Sequence, residues 1–148
     1  MLRIRSAVET DIPALTRLLG QLFGQEAEFR PDDAAQRAGL LLILADPSAG
    51  TILVADDNGR LTGMATLLFT VSTVLGGRVA LLDDLVVDHA MRGRGTGAAL
   101  MRGVMDTCRR ARVGRISLNS DRDNSAAHRF YERFGFKRST MIPFRLHL

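Results

Sequence analysis

The turn RGRGTG, residues 92–97, places two arginines and three glycines directly before a helix-like segment. A helix N-terminus carries unpaired backbone N–H groups and a partial positive charge, so it attracts anions. Because this attraction is only about 0.3–1 kcal/mol in exposed settings, several N–H groups must act together, and a pyrophosphate suits them better than a single phosphate. The residues predicted to bind it are Arg92, Gly93, Arg94, Gly95, Thr96 and Gly97.

Two carboxylates, Asp83 and Asp84, interrupt the otherwise apolar run RVALLDDLVV. An unpaired carboxylate in such a strand is costly, so we expect a compensating role for the pair. That role is either proton transfer or a structural one, in which the aspartates pair with arginines or cap a loop. Neighbouring strand residues face opposite sides, which predicts that the two carboxylates point apart.

Three known phosphate-binding patterns are candidates for the glycine-rich turn. The P-loop requires a Gly-Lys-Ser/Thr ending, which the segment lacks. A dinucleotide or methyl-donor fold has Asp121 near the place of a ribose-binding acid. However, five residues separate Val87 from Gly93, and the chain offers only one strand–helix–strand unit, which starts in mid-sequence. The third pattern, Arg-x-x-Gly-x-Gly, is matched by Arg92, Gly95 and Gly97.

The elements around these residues follow from periodicity and turn signals. LRIRSA alternates as a strand, and ETDIPALTRLLGQLF is a helix capped by Thr10 or Asp11. PDDAAQRAGLLLILADP predicts a second helix capped by Asp32 or Asp33, and Asn58-Gly59 predicts a hairpin in TILVADDNGRLTGMATLLF. The last predicted segments are the strand RVALLDDLVV, a helix that buries Cys108, the strand RISLNSD, the helix NSAAHRFYERFGF closed by Gly135, and the strand STMIPFRLHL.

With these motifs in place, the chain resembles the GNAT superfamily of acyl-CoA-dependent N-acyltransferases. LLDDLVVDHAMRGRGTGAALM is similar to the family's strand, loop and helix, and NSAAHRFYERFGF resembles its downstream Asn-x-x-Ala-x-x-Phe-Tyr-x-x-x-Gly-Phe segment. The resemblance implies an α/β (α+β) fold: a mixed, mostly antiparallel sheet splayed in a V, with helices on both faces. It also implies that the turn binds the pyrophosphate of acetyl-CoA.

The resemblance assigns further roles to the strand that precedes the turn. The backbone of Leu85, Val86 and Val87 would pair with the pantetheine arm and point an N–H at the thioester oxygen. Asp83 falls where family members often carry a glutamate base, so it is expected to remove the amine proton through water, with Asp84 as the other candidate. Neither needs a metal, and no metal-ligand spacing occurs in the sequence.

Tyr131, the only tyrosine, matches the family residue thought to protonate the leaving thiolate. Its ordinary pKa of about 10 lies above that of a thiol, about 8.5, so it can give a proton and recover it. The alternative is a core aromatic beside Phe130 and Phe134. Asn124 either touches the cofactor or serves as a helix N-cap. Glu26 and Glu28 either steer a cationic acceptor or belong to a solvated loop.

Composition limits the remaining possibilities. With 148 residues, 46% of them hydrophobic and 24% charged, residues 1–148 are expected to fold as one domain. The net charge of +4 is carried by arginines, because Lys137 is the only lysine, and it suits DNA, RNA or a phosphorylated ligand. Since aromatic residues make up only 5% and tryptophan is absent, nucleic acid is the less favoured partner.

The cellular setting is also inferred from the sequence. The longest apolar run, Gly39–Ala45, is too short to span a membrane, and the N-terminal residues lack the apolar core of a signal peptide. We therefore expect a cytoplasmic acetyltransferase with a small-molecule or peptide amine acceptor and a possible homodimer. The rival is a non-catalytic module, either an acyl-CoA sensor or an arginine-rich nucleic-acid binder, and the presence of both Asp83 and Tyr131 favours the enzyme.

Overall fold

Five strands form one sheet, in which they are ordered as they occur in the chain. The first four are antiparallel neighbours, and the fifth is parallel to the fourth. The computed structural model describes residues 1–148. The strands are β1 (Leu2–Ser6), β2 (Gly50–Asp57), β3 (Arg60–Ser72), β4 (Gly77–Val87) and β5 (Ile116–Ser117), and the helices are α1 (Ile12–Gln25), α2 (Asp33–Ala45), α3 (Thr96–Arg110) and α4 (Ser125–Arg133).

The helices cover both faces of the sheet, as the resemblance implied. α1 and α2 pack on one face and α3 on the other, with the aromatic residues of α4 beside α3. Each face buries the apolar stripe of a helix, and a buried Leu or Met contributes about 1.5–3 kcal/mol. The buried stripe of α3 consists of Leu100, Met101, Val104 and Cys108, which confirms that Cys108 belongs to the core.

Local residue chemistry explains where several elements begin and end. Asn58 and Gly59 both have positive φ, 53° and 91°, and they form the predicted hairpin turn between β2 and β3. Asp32 caps α2 by accepting a hydrogen bond from the Ala35 N–H at 3.1 Å. Asp11 precedes α1, but its carboxylate does not cap the helix; it binds Arg5 instead.

A β-bulge in β4 changes where the two aspartates point. Thr66 of β3 faces Asp84, while the next residue, Leu67, faces Leu82, so Asp83 is the extra residue. A bulge of one residue resets the alternation of side chains along the strand. The prediction that Asp83 and Asp84 point apart is therefore wrong, because both side chains line the same cleft on the α1–α2 face.

The fifth strand is shorter than predicted. RISLNSD was expected to be a strand, but only Ile116 and Ser117 pair with β4, opposite Ala80 and Leu81. The pairing stops just before the bulge at Asp83, since a bulge bends the strand that contains it. Beyond this point β4 continues to Val87 without a neighbour on its outer edge, and this is the V-shaped opening of the sheet.

The C-terminal segment 137–148 is not a strand, so this prediction is also wrong. Its backbone makes no backbone hydrogen bond, and one backbone N–H, that of Met141, donates to a side chain, Ser139 Oγ, at 3.0 Å. Arg145 instead binds Glu28 and lies over the ring of Phe29, which draws the segment away from the sheet. A strand cannot form where no neighbouring backbone is within reach.

Candidate active site

A cleft of about 490 Å³, called here the α3 cleft, lies between the end of β4, the start of α3 and helix α4. Its floor is the turn that precedes α3, and its wall is the aromatic face of α4. Most of the residues predicted to bind the cofactor line it. They are Leu85, Val87, Arg92, Gly93, Gly95, Thr96, Gly97 and Tyr131.

The backbone of the turn requires glycine at two positions. Gly93 and Gly95 have positive φ, 76° and 82°, a conformation that other L-residues rarely adopt. Gly95 is the N-cap of α3 and has no side chain that could cap it, so none of the N–H groups from Gly93 to Ala98 donates a hydrogen bond within the protein. A Cβ at Gly97 would lie 3.6 Å from the ring of Phe130. The turn thus presents a row of free donors to the α3 cleft.

Three predicted cofactor residues do not line the α3 cleft. The side chain of Val86 is buried among the residues of α1, at 3% exposure, because the bulge turns it to that face. Arg94 is exposed, and Asn124 caps α4 by accepting from the Ala127 N–H at 3.1 Å. For Asn124 the structure therefore shows the capping role. Any part that Val86 takes in binding would come from its backbone, as the resemblance implies.

The buried aspartate Asp88 fixes the loop between β4 and the turn. It accepts hydrogen bonds from Arg17 Nη1 at 3.0 Å, from Arg60 Nη2 at 3.4 Å and from the Ala90 N–H at 3.2 Å. Gln21 adds a further contact, because its Oε1 accepts a hydrogen bond from the His89 N–H at 3.1 Å. These contacts join α1 and β3 to the loop, so they set the position of the turn.

The side chain of Arg92 is held in place by Gln25, the last residue of α1. Its Nη2 donates to Gln25 Oε1 at 3.2 Å, and its Nε lies 3.5 Å from the carbonyl oxygen of Val87. The amide nitrogen of Gln25 also contacts the ring of His89 at 3.1 Å. The guanidinium is therefore positioned at the mouth of the α3 cleft before any anion binds.

A second cleft of about 490 Å³, called here the acid cleft, opens on the α1–α2 face of β4. Leu19, Phe23, Leu40 and Ile43 form its apolar wall. Five carboxylates and one guanidinium line the rest: Glu26, Glu28, Asp32, Asp83, Asp84 and Arg30. The acid cleft is therefore strongly negative, and it suits a cation or a neutral polar molecule.

Three of the five carboxyl groups of this cleft have a raised pKa. Burial, together with the charges of Asp83 and Glu26, raises the pKa of Asp84 to about 7. Burial also raises the pKa of Asp83, although Arg145 opposes the shift, and burial and neighbouring carboxylates raise the pKa of Glu26. Asp84 is directly opposite Thr66, whose buried hydroxyl lacks a well-formed hydrogen bond and lies where it can donate to that carboxylate. Asp84 is thus a group that exchanges its proton near neutral pH.

Tyr131 is half-buried at the inner end of the α3 cleft. Its ring packs edge-on against Phe130 and Phe136, with centroids 5.5 and 5.8 Å away. Burial, with a smaller contribution from the charge of Glu26, raises the pKa of its phenol. Tyr131 is therefore protonated at neutral pH.

The two clefts lie at consecutive residues of β4, because Asp84 lines one and the next residue, Leu85, lines the other. The bulge at Asp83 produces this arrangement, because it sends Asp84 to the α1 face and Leu85 to the α3 face. Both residues lie on the part of β4 that has no neighbouring strand on its outer edge.

Several residues of these sites were not found by sequence reasoning. Gln36, Thr66 and Asp88 carry no motif, and each depends on a contact between residues distant in sequence. Only Asp88 gave a signal, as the polar residue that ends an apolar strand. His128 is half-buried, with Nε2 2.8 Å from the Asp121 carbonyl oxygen, and it lines neither cleft.

Two further observations concern metals and membranes. The structure contains no group of three or more His, Cys, Asp or Glu side chains placed to hold a metal ion. None of the helices combines the length and the apolar character that a membrane-crossing helix needs.

Comparisons with known proteins agree with this geometry. The profile of the acetyltransferase (GNAT) family matches residues 12–136. The chain is 29% identical to an uncharacterized N-acetyltransferase, YhfO, of Bacillus subtilis (strain 168) over 143 residues, which are 94% of this chain and 92% of that protein. It is also 29% identical over 136 residues to the aminoalkylphosphonate N-acetyltransferase of Salmonella typhimurium, covering 92% of this chain and 85% of that protein.

A solved structure shows the same fold. An integron cassette protein from the mobile metagenome of Cole Harbour Salt Marsh superposes with a TM-score of 0.84 at 27% identity. The match covers 98% of this chain and 90% of that one. The predicted architecture, a mostly antiparallel sheet between helices, is therefore confirmed.

Proposed function

The chain belongs to the acetyltransferase (GNAT) family, and we propose that it transfers the acetyl group of acetyl-CoA to a primary amine by direct attack in a ternary complex. The observation that carries this proposal is the position of the two clefts at consecutive residues of β4, Asp84 and Leu85, where the strand has no neighbour on its outer edge and the two bound molecules can reach each other. The acetyl donor enters the α3 cleft and the amine enters the acid cleft. The aminoalkylphosphonate relative, by its name, supports a small amine as the class of acceptor.

The α3 cleft fits acetyl-CoA at the turn before α3. The free N–H groups from Gly93 to Ala98 match the oxygens of a diphosphate, and Arg92 supplies charge at the same end. The open backbone edge from Leu85 to Val87 is available to the amide groups of the pantetheine arm. When bound, acetyl-CoA supplies an acetyl group activated as a thioester.

Asp84 is the proposed proton acceptor. An amine attacks only in its neutral form, so a protonated acceptor must lose a proton in the site. A carboxylate with a pKa of about 7 takes up that proton far better than an ordinary aspartate. Asp83, which faces the same cleft, keeps the pKa of Asp84 high by repulsion and relays protons to solvent. The family pattern places the base at Asp83, and the electrostatics favour its neighbour.

Tyr131 is the proposed proton donor to the departing thiolate. Its raised pKa keeps the phenol protonated at neutral pH, and its ring lines the α3 cleft beside Leu85. Cys108 takes no part in the reaction, because it is buried on the far side of α3 in the core. The acetyl group therefore passes directly between the two bound molecules.

Calorimetric titration with acetyl-CoA tests the cleft assignment. A Gly97→Leu variant fills the floor of the α3 cleft next to Phe130, and we expect it to weaken binding by about tenfold or more. Gly20→Leu is the matched control, because a Cβ there has no neighbour within 4 Å and Gly20 lies on α1. Equal affinities of the two variants would overturn the assignment. The same protein is then given a panel of amines while thiol release is measured. Binding without release for any amine would identify an acyl-CoA sensor instead.

We also propose a homodimer formed through the C-terminal segment. Ile142, Phe144, Leu146 and Leu148 alternate with other residues in the sequence, and each is at least 71% exposed. β5 has no neighbour on its outer edge. The segment of one copy would pair with β5 of a second copy, which satisfies both backbones and buries the four side chains.

Sedimentation analysis tests the dimer. Phe144→Asp places a charge in the alternating set and is expected to give a monomer. Met141→Asp is the control, since Met141 is 83% exposed and lies outside the alternating set. If both variants sediment like the parent protein, the segment does not form the interface.

A further inference from the structure

The side-chain amide of Gln36 has no hydrogen-bond partner although it is buried. Gln36 is 8% exposed, and neither its Nε2 nor its Oε1 makes a hydrogen bond within the protein. Leaving such a group unsatisfied costs about 1–3 kcal/mol. The residue lies on α2 and lines the acid cleft between its apolar wall and its carboxylates. Both amide atoms are covered in the free protein, so a ligand in the cleft reaches them only after the side chain rotates toward it, and a ligand that then offers both an acceptor and a donor removes the cost.

We propose that Gln36 is a specificity-determining residue, which selects an acceptor amine that carries an uncharged amide or hydroxyl group beside an apolar side chain. This inference rests on the proposed acetyl transfer and names the class of amine that enters the acid cleft. Two groups satisfy both atoms of Gln36, because an amide and a hydroxyl each donate and accept a hydrogen bond. An ammonium donates only, and a carboxylate accepts only.

The charges of the cleft exclude an anionic group at this position. Five carboxylates line the acid cleft, and Arg30 is the one guanidinium among the lining residues. Arg145 is nearby, but it is paired with Glu28. A carboxylate, phosphate or phosphonate on the acceptor would therefore be repelled. The amine itself is attracted as a cation and loses its proton to Asp84.

The apolar wall accounts for the rest of the acceptor. Leu19, Phe23, Leu40 and Ile43 lie on α1 and α2, next to Gln36. Such a surface binds an aliphatic side chain through burial, at about 25 cal/mol per Å² of apolar area. Leucine derivatives combine the three features: an α-amine, an isobutyl group and a variable third group.

The experiment compares four amines with the wild-type enzyme and saturating acetyl-CoA. Leucinamide carries an amide and leucinol a hydroxyl, while leucine carries a carboxylate and isopentylamine has no third group. Rates of thiol release are expressed as kcat/KM for the neutral form of each amine. Leucinamide or leucinol is expected to exceed both leucine and isopentylamine by about tenfold or more. The ratio of kcat/KM for leucinamide to kcat/KM for leucinol shows whether the site prefers an amide or a hydroxyl as the hydrogen-bonding group.

Gln36→Leu tests whether the selection comes from this residue. The variant keeps the volume but removes both polar atoms, so the preference for leucinamide and leucinol over isopentylamine should be lost. A purely structural role would lower all four rates together and overturn the inference. Gln36→Met is the second variant of similar size, which guards against a misfolded Leu variant, and it is expected to show the same loss.

The outcomes separate this inference from the proposed function. If none of the four amines nor any other in the panel releases thiol, while acetyl-CoA binds, the proposed acetyl transfer fails and the inference fails with it. If all four amines react equally well and Gln36→Leu changes nothing, acetyl transfer stands and the inference about Gln36 is wrong.

Discussion

Two pairs of aspartates lie in different parts of the molecule, and only one of the pairs has an arginine partner. Asp11 and Asp56 share Arg5, whose guanidinium lies 2.8 and 3.0 Å from the oxygens of Asp11 and 2.8 Å from Asp56. These bonds lower the pKa of both carboxyl groups. Asp83 and Asp84 make no ion pair, and burial raises the pKa of both.

The comparison shows how one residue type serves two purposes. A carboxylate with a guanidinium partner stays ionised and stabilises the fold, whereas a buried one without a partner can exchange a proton. The sequence contains enough arginines to neutralise both pairs. The pKa values of the two pairs differ because Arg5 lies beside Asp11 and Asp56, whereas Asp83 and Asp84 have no such partner. Under the proposed mechanism, stability and proton transfer therefore depend on different parts of the same sheet.

The largest expected effect is that of Asp84→Asn. Without the proton acceptor, kcat at neutral pH should fall by about 100-fold or more, which steady-state measurement of thiol release detects. The same change should stabilise the protein at pH 8. Because the pKa of Asp84 is raised in the folded state, folding is favoured while the group is protonated, and this advantage is lost as the pH rises through about 7. A variant with unchanged kcat would contradict the role of Asp84.

Tyr131→Phe should lower kcat by about tenfold or more and leave the KM for acetyl-CoA nearly unchanged. The ring is retained, so its packing against Phe130 and Phe136 survives and the α3 cleft keeps its wall. Steady-state kinetics with varied acetyl-CoA separates the two parameters. If kcat is the same as in the wild type, Tyr131 is a packing residue and does not act as the acid.

The pH dependence of kcat/KM reports the coupling between the two cleft aspartates. Activity should rise with pH through about 7 as Asp84 ionises. In Asp83→Asn the rise should shift to lower pH, because the like charge that opposes ionisation of Asp84 is gone. A profile that does not move would show that Asp83 does not influence the base.

The smallest effect on activity is expected from Arg5→Ala. This variant removes the partner of Asp11 and Asp56, so its melting temperature should fall by several degrees while kcat is unchanged. The pKa values of both carboxyl groups are lowered in the folded state, so the stability they provide is present above their ordinary pKa and is lost as the pH falls. The difference in melting temperature from the wild type should therefore shrink in acid. A loss of kcat would contradict the separation of the two regions.

Periodicity and turn chemistry were sufficient to predict most of the fold. The helical stripes of α1 and α3, the Asn58-Gly59 turn and the glycine-rich turn before α3 are local signals, and the structure confirms them. The bulge at Asp83 could not be predicted, because it depends on the register between β3 and β4. The same register shift is the reason that Asp83 and Asp84 line one cleft, although the sequence predicted that they point apart.

The errors at the C-terminal end have a common cause. STMIPFRLHL alternates like a strand, but a strand needs a neighbour, and alternation does not say whether the chain supplies one. RISLNSD was overestimated for the same reason, since β4 bends away after Leu81. Gln36 was missed because its environment is formed by α1, α2 and β4 together.

NMR titration of the aspartate carboxyl carbons tests the central claim most directly. Signals are assigned by comparison with Asp84→Asn, Asp11→Asn and Asp56→Asn, and each pKa is read from the change of chemical shift with pH. We expect a pKa of about 7 for Asp84, and for Asp11 and Asp56 pKa values lowered from that of an ordinary aspartate. An ordinary pKa of about 4 for Asp84 would contradict its assignment as the proton acceptor.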